Sequence, residues 1–129
     1  INAALLLVSL KYLPKKQKII NNIAKRYSNE LNEHIKVQRL AETEVHGRYV
    51  FPIRTDKRDE LMHYLHSKNI ETKIMNEPLA SEAHAFKELK SLPLPNAQRV
   101  LNSSLVIPCH DKMSEEQTDY VINTINNFF

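Results

Sequence analysis

Apolar residues crowd the start of the chain and then settle into a regular helical spacing. Between Ala3 and Leu10 only one residue is polar, which is typical of a helix buried from several sides. After Pro14, apolar residues recur three or four positions apart, with Lys and Asn between them: Ile20, Ile23, Ala24, Tyr27 and Leu31. Because Pro is tolerated in the first turn of a helix, a second helical segment can begin there. The pattern predicts one long helix over residues 3–33, kinked or broken at Pro14.

The apolar run at the start of this helix lacks the features of an ordinary helix start. Asn2 could cap it, but no acidic residue follows in the first turn. Lys11 and two further lysines come after the run, whereas a secretory signal has its basic residues before it. The run is also shorter than the roughly 20 apolar residues that cross a bilayer. We therefore expect this helix, within residues 1–33, to pack against protein that is absent from this chain.

Shorter segments after the helix alternate apolar and polar residues with the period of a strand. The alternation and the β-branched composition predict four strands: 35–40, 48–54, 70–75 and 104–107. Pro52 lacks a backbone N–H, so we expect the second strand to lie at a sheet edge or to contain a bulge. Residues 34–129 are thus expected to form an α+β domain, with a short, mostly antiparallel sheet packed under helices.

Helix signals separate these strands. Thr55 or Asp56 is the predicted N-cap of a helix that ends near Asn69, a residue tolerant of the left-handed C-terminal turn. Ser114 and Gln117 form a capping box, which predicts a terminal helix behind them. Two further short helices are predicted: 81–90 and 96–101.

Composition narrows the class of protein. The 129 residues, 42% of them hydrophobic, fit a single domain with a modest core. A single cysteine excludes an internal disulfide framework and favours a reducing compartment, here the cytoplasm. The net charge is +3, but basic and acidic residues are interspersed, so neither nucleic acid nor a membrane is an expected partner.

Two clusters of reactive side chains lack the geometry of a catalytic or metal site. His63 and His66 share a helix face with Asp59, but helical metal pairs favour the i, i+4 spacing, so a solvated polar face explains them. The Cys-His-Asp tripeptide at 109–111 has adjacent side chains that diverge, whereas a catalytic Cys–His pair must meet in space. We therefore predict no catalytic and no metal-binding residue in this chain.

Read in order, several segments carry a family resemblance that covers essentially the whole chain. They are Asn2-Ala3-Ala4 before the Leu-rich helix, 23–27, 58–61, 69–72, 105–110 and Glu115-Glu116 before Tyr120. This ordered set resembles the C-terminal part of the DegT/DnrJ/EryC1/StrS family. Members of that family are pyridoxal-phosphate-dependent aminotransferases that act mainly on nucleotide-linked keto sugars, commonly with glutamate as the amino donor.

The resemblance implies the small domain of a fold-type I aminotransferase. In that family the Schiff-base lysine and the other cofactor-binding residues lie in a larger upstream domain, and the lysines of the first helix here lie on its exposed face by their phase: Lys15, Lys16, Lys18 and Lys25. Pyridoxal phosphate is thus implied for the full-length protein, and none is expected to bind to this fragment, which should be inactive alone. The implied partners are the missing N-terminal domain, a second subunit of a homodimer and a nucleotide-sugar substrate.

Small domains of the family also contribute to the rim of the substrate site, and here the chain departs from its relatives. Many relatives have an aromatic–His pair where this chain has His46-Gly47-Arg48, and His-Tyr where it has Met75-Asn76. The resemblance makes His46, Arg48 and Asn76 the rim candidates, with a solvated surface as the alternative. A stand-alone binding or regulatory module descended from the domain is the alternative function.

Overall fold

The computed structural model describes residues 1–41, 43–44, 46–75, 78–86 and 93–129. Within these ranges the helices are α1 (Asn2–Glu30), α2 (Arg58–Ser67), α3 (Pro95–Ser103) and α4 (Glu115–Asn126). The strands are β1 (Lys36–Val37), β2 (Phe51–Arg54) and β3 (Ser104–Ile107). Two short 3-10 turns lie at Ala80–Glu82 and His84–Phe86. In this described part of the chain, every helix is too short or too polar to cross a membrane.

The three strands form an antiparallel sheet in the order β1-β2-β3, which confirms the α+β class with a long N-terminal helix. The strand expected at 70–75 is reduced to a single antiparallel bridge between Lys73 and Val106. The reason is local, because the Ile70 N–H donates to the Leu65 carbonyl and so completes the end of α2. The strand expected at 48–54 is also shorter, since Arg48 has a φ of +50°, outside the extended region.

Pro52 lies in the middle strand of the sheet and in continuous register with β3, so the prediction of an edge strand or a bulge was wrong. Val106 exchanges both of its backbone hydrogen bonds with Lys73, at 3.1 and 2.8 Å, and its pairing with Pro52 is therefore a non-hydrogen-bonded one. The Pro52 nitrogen thus faces the β1 side of the sheet. Pairing with β1 stops at Ile53, one residue short of Pro52. The missing N–H therefore costs no ladder hydrogen bond.

Helix α1 runs without a break through Pro14, so of the two predicted alternatives, a kink or a break, the break does not occur. It begins at Asn2, so this residue is the first helical position and not a cap, and it ends at Glu30, where Leu31 turns extended. A single proline removes one hydrogen bond from the ladder, and the bonds on either side of it keep a helix of 29 residues continuous.

Two of the other helix ends agree with the sequence-based prediction. The start of α2 and the helix expected at 81–90 differ from it. Asn69 has a φ of +58°, the predicted left-handed turn, and the Ser114–Gln117 capping box is complete at 3.2 and 3.0 Å. Helix α2 begins later than predicted, because the Thr55 hydroxyl accepts from the Lys57 N–H, at 3.3 Å, and not from a helical residue. The helix expected at 81–90 is replaced over its described part by two 3-10 turns, since Ala83 between them is extended.

The core lies between the sheet and helices α1, α2 and α4. Its buried side chains come from every one of these elements: Ile23, Ala24, Tyr27, Phe51, Ile53, Leu61, Leu65, Leu105, Ile107, Val121, Ile122 and Ile125. Helix α1 contributes only through its second half. These buried side chains form one hydrophobic cluster.

The first half of α1 exposes an apolar surface. Leu5, Leu6 and Leu7 are between 61% and 64% exposed, and they have similar neighbours: Ile1, Val8, Leu10, Tyr12 and Leu13. Contiguous apolar patches of this kind mark surfaces that contact other protein. The first half of α1, which was expected to pack against a missing partner, therefore has its apolar side chains exposed in this chain.

The contrast between the buried core and the exposed first half of α1 predicts a large and a small effect for the same Leu→Ala substitution. Leu65→Ala should lower the free energy of unfolding by about 2–5 kcal/mol, because it leaves a cavity in the core. The matched Leu7→Ala variant removes an exposed side chain and should change it by less than about 0.5 kcal/mol. Urea unfolding measures both, and equal effects would contradict the assigned core.

The exposed apolar half of α1 should make the isolated chain self-associate. Replacing Leu6 and Leu10 by Gln, one helical turn apart, removes much of this apolar surface and should shift the chain towards monomer. The charge-altering pair Lys11→Gln and Lys15→Gln on the same helix is the control. Sedimentation velocity that shows a clean monomer for the unaltered chain at high concentration would refute the expectation.

Candidate functional site

His46, Gly47 and Arg48 form a turn that is held against α1. The Gln17 side-chain amide donates to the carbonyl oxygens of His46 and Gly47, at 3.4 and 3.1 Å. The His46 Nδ1 accepts from the Arg48 backbone N–H at 2.8 Å, so its Nε2 carries the proton and donates to Gln38 Oε1 at 3.1 Å. Both ring nitrogens are thus engaged, and these contacts fix the orientation of the imidazole ring.

Arg48 holds the strained backbone position of this turn. Its φ of +50° is a conformation that costs a non-glycine residue about 1–2 kcal/mol. Its guanidinium carbon lies 5.8 Å from the centre of the Phe51 ring, within the range of a cation–π contact. The Arg48 Nε is buried and has no hydrogen-bond partner among the described residues. A strained residue with a buried guanidinium nitrogen that lacks a hydrogen-bond partner is a candidate for function.

Cys109 lies between this turn and α1. Its thiol approaches the Ile20 carbonyl oxygen at 3.9 Å, and burial raises its pKa to about 11, an effect that the nearby Arg48 charge opposes. The Tyr27 hydroxyl donates to the Pro108 carbonyl at 2.7 Å, and burial raises the pKa of this phenol well above its ordinary range. Both groups therefore stay protonated at neutral pH, and neither serves as a nucleophile or a base here.

The structure brings two of the three rim candidates together. His46 and Arg48 are both half-buried and share one turn, whereas Asn76 lies outside the described residues. Partial burial and fixed hydrogen bonds distinguish the pair from freely solvated surface residues. Their contact with a substrate stays a prediction.

The histidines of α2 bind ordinary partners. His63 Nδ1 lies 2.6 Å from the carbonyl oxygen of Asp59, one turn earlier in the same helix. His66 Nε2 lies 2.9 Å from the hydroxyl of Thr72. Within the described ranges, no group of three or more His, Cys, Asp and Glu side chains could hold a metal ion.

The three side chains of the Cys-His-Asp tripeptide at 109–111 have different partners. Its cysteine faces α1, its histidine Nδ1 accepts from the Lys112 backbone N–H at 3.2 Å, and its aspartate lies 3.8 Å from the Lys16 ammonium. The three side chains do not form a triad. Adjacent side chains diverge here as the sequence predicted.

Sequence patterns did not reveal two residues that hold the turn: Gln17 and Gln38. Gln17 is the one uncharged residue in the stretch 15–18, which was the only signal that its position differs from that of its lysine neighbours. Its hydrogen bonds reach 29 and 30 residues along the chain, a distance that no local periodicity reports.

Comparison with known proteins gives a consistent match. The family model described as the DegT/DnrJ/EryC1/StrS aminotransferase family matches residues 1–126. A curated protein from Geobacillus stearothermophilus, named pleiotropic regulatory protein, is 29% identical over 133 residues and is matched over 98% of this chain and 36% of its own length.

Two solved structures share the fold. A DegT DnrJ EryC1 StrS aminotransferase from Brucella abortus is 29% identical with a TM-score of 0.88, over 98% of this chain and 34% of that one. A putative sugar aminotransferase from Streptococcus pneumoniae in its PMP-form is 24% identical with a TM-score of 0.84, over 94% of this chain and 32% of that one. The chain spans about a third of the length of these relatives.

The environment of Cys109 makes its alkylation a direct test of the site, because the sequence has a single cysteine. Modification by iodoacetamide should rise with pH through a midpoint near 11, above the ordinary value of 9.0 that the urea-unfolded chain should show. Arg48→Met removes the neighbouring positive charge and should move the midpoint of the folded chain higher still. A midpoint at the ordinary value in the folded chain, or one unmoved by Arg48→Met, would contradict this geometry.

Proposed function

The chain belongs to the DegT/DnrJ/EryC1/StrS aminotransferase family, and we propose that it is the C-terminal small domain of an enzyme that aminates a nucleotide-linked keto sugar. The family match over residues 1–126 carries the proposal. The likeness in fold to a putative sugar aminotransferase supports the sugar as the acceptor class. We further propose glutamate as the amino donor, pyridoxal phosphate as the cofactor, a homodimer as the active form and the cytoplasm as the location.

The cofactor belongs, in this proposal, to a part of the enzyme outside the described residues. Pyridoxal phosphate supplies the electron sink for amino transfer when it is bound. A lysine that holds it covalently must lie in a desolvated pocket, where its amine is activated. Every lysine that the structure describes is exposed, including Lys15, Lys16, Lys18 and Lys25, whose exposure their helical phase predicted. The described residues therefore do not fit the cofactor, and we assign no chemical step to the lysines of this chain.

Helix α1 supplies the connection to a cofactor-bearing domain in this proposal. Its residues up to Lys16 are all exposed, while Ile23, Ala24 and Tyr27 are buried in the core of residues 34–129. An element that is apolar in both halves and buried in only one has a second contact surface. We assign that surface to the large domain that relatives of about three times this length contain.

The turn at 46–48 is the contribution of this chain to the substrate site. His46 is a positioning residue in this proposal, because both of its ring nitrogens are occupied by Arg48 and Gln38. Arg48 carries the charge that the turn presents next to Phe51. Asn76 is the third rim residue of the proposal.

A regulatory role is the second candidate. The curated relative from Geobacillus stearothermophilus is named a pleiotropic regulatory protein, at 29% identity. The gene sequence upstream of Ile1 separates the two candidates. An in-frame domain with a cofactor-binding lysine supports the enzyme, and a start codon immediately before Ile1 favours a stand-alone binding or regulatory module.

If the cofactor is bound by a part of the enzyme outside this chain, the chain and a longer protein that contains it should differ in their binding of pyridoxal phosphate. The 129-residue chain should show no stoichiometric Schiff-base absorbance with pyridoxal phosphate near neutral pH, because its described lysines are all exposed. The longer protein should show that band and should transfer an amino group from glutamate to a nucleotide-linked keto sugar. A stable stoichiometric Schiff base on the chain alone would refute the proposal.

A further inference from the structure

The peptide unit that joins Gly47 to Arg48 is held on both of its polar sides. Its carbonyl oxygen accepts from the Gln17 side-chain amide at 3.1 Å, and its N–H donates to the Nδ1 of His46 at 2.8 Å. The same Gln17 nitrogen also donates to the His46 carbonyl, at 3.4 Å. An amide nitrogen has two hydrogens, so one side chain serves both carbonyls. The peptide plane before Arg48 is therefore fixed in its orientation.

The orientation of this peptide unit sets the strained backbone angle of Arg48, whose φ of +50° lies in the left-handed region. Rotation of the peptide unit by about half a turn would bring this φ into the extended region, which costs an arginine no strain. Gly47 does not obstruct that rotation, because even a Cβ there would meet no atom of the described residues within 4 Å. The hydrogen bonds at the two ends of the peptide unit therefore oppose its relaxation.

The same orientation determines where the Arg48 guanidinium lies. In the held conformation its central carbon is 5.8 Å from the centre of the Phe51 ring, and its positive charge lowers the pKa of Cys109 against the larger, opposite effect of burial. The side chain leaves the backbone at the residue whose φ would change, so rotation of the peptide unit would redirect it. The charge near Cys109 is therefore a marker of the held conformation.

The two holding groups come from different parts of the chain. His46 belongs to the turn itself, whereas Gln17 lies on α1, 30 residues before Gly47. Gln17 is half-buried and directly follows Lys16, the last residue of the exposed run in the first half of the helix. A change in the position of this part of α1 would therefore reach the peptide unit through the Gln17 side chain.

We propose that Gln17 is a positioning residue for Arg48 and that it makes the place of the rim arginine depend on α1. The inference rests on the proposed function, in which the first half of this helix contacts the cofactor-bearing domain. Strained backbone conformations persist only where their surroundings hold them, and a turn with a strained and a relaxed state is an element that a contact can bias. Contact with the large domain would favour the held state and so present the Arg48 charge at the substrate rim.

Alkylation of Cys109 in the 129-residue chain measures the position of the arginine. Gln17→Leu cannot donate to the turn, so the arginine charge should move away and the pH midpoint of modification should rise, as in Arg48→Met. In the Arg48→Met background, Gln17→Leu should cause no further rise. The matched control is Asn22→Leu, another amide-to-leucine change at an exposed position of the same helix, and it should leave the midpoint unchanged.

Hydrogen exchange followed by NMR gives an independent measure of the held peptide unit. The Arg48 N–H should exchange about tenfold faster in Gln17→Leu, because a peptide unit that has lost one of its hydrogen bonds opens more often. Gln17→Glu keeps the shape of the side chain without the donor and should have the same effect on exchange, and circular dichroism shows whether each variant keeps its helices. An unchanged midpoint or exchange rate in Gln17→Leu, or a rise that persists without Arg48, would overturn the inference.

Steady-state kinetics of the longer protein separate this inference from the proposed function. Gln17→Leu and Arg48→Met should each raise KM for the keto sugar by about tenfold and leave kcat unchanged, the pattern of a lost binding contact to a charged group. A KM that responds to Arg48→Met and not to Gln17→Leu would overturn the positioning role and leave the proposed function standing. The expected behaviour of Cys109 without any amino transfer would support the positioning role and remove the proposed enzyme.

Discussion

The burial of Tyr27 is the interaction on which the rest of the structure depends. Its side chain is fully buried, its ring lies 5.2 Å from that of Phe51, and its hydroxyl donates to the Pro108 carbonyl at 2.7 Å. One residue thus fastens α1 to the central strand and to the loop after β3. Because the buried hydroxyl has a partner, the ring contributes its apolar area without the cost of an unpaired polar group.

The position of this anchor decides where the candidate sites lie. Tyr27 and Ile23 bury the second half of α1, the first half is exposed, and Gln17 marks the boundary between them. The turn at 46–48 and the loop after Pro108 both meet the helix near this boundary. The rim turn therefore meets the helix where the core ends and the exposed apolar surface begins.

Features set by neighbours in sequence could be predicted, and features set by neighbours in space could not. Helical periodicity predicted α1, and capping chemistry predicted the start of α4 and the left-handed turn at Asn69. Pro52 was misplaced because its tolerance in a central strand depends on where β1 stops pairing, which is a tertiary fact. His46 and Arg48 became rim candidates through the family resemblance alone, and the hydrogen bonds of Gln17 and Gln38 that fix them were invisible in the pattern.

In the turn at 46–48 the strained backbone conformation lies at Arg48 and not at Gly47, which favours a functional role for the arginine side chain. Glycine would adopt the left-handed backbone without cost, yet the residue with positive φ is Arg48, while Gly47 has ordinary backbone angles and open space around it. The Arg48–Phe51 contact is worth about 0.5–1 kcal/mol at an exposed site, which is no more than the strain. This contact of the Arg48 side chain therefore does not outweigh the strain of its backbone. His46 holds the backbone of this arginine and Phe51 lies under its side chain, so Arg48 stays our candidate for a residue with a function beyond folding.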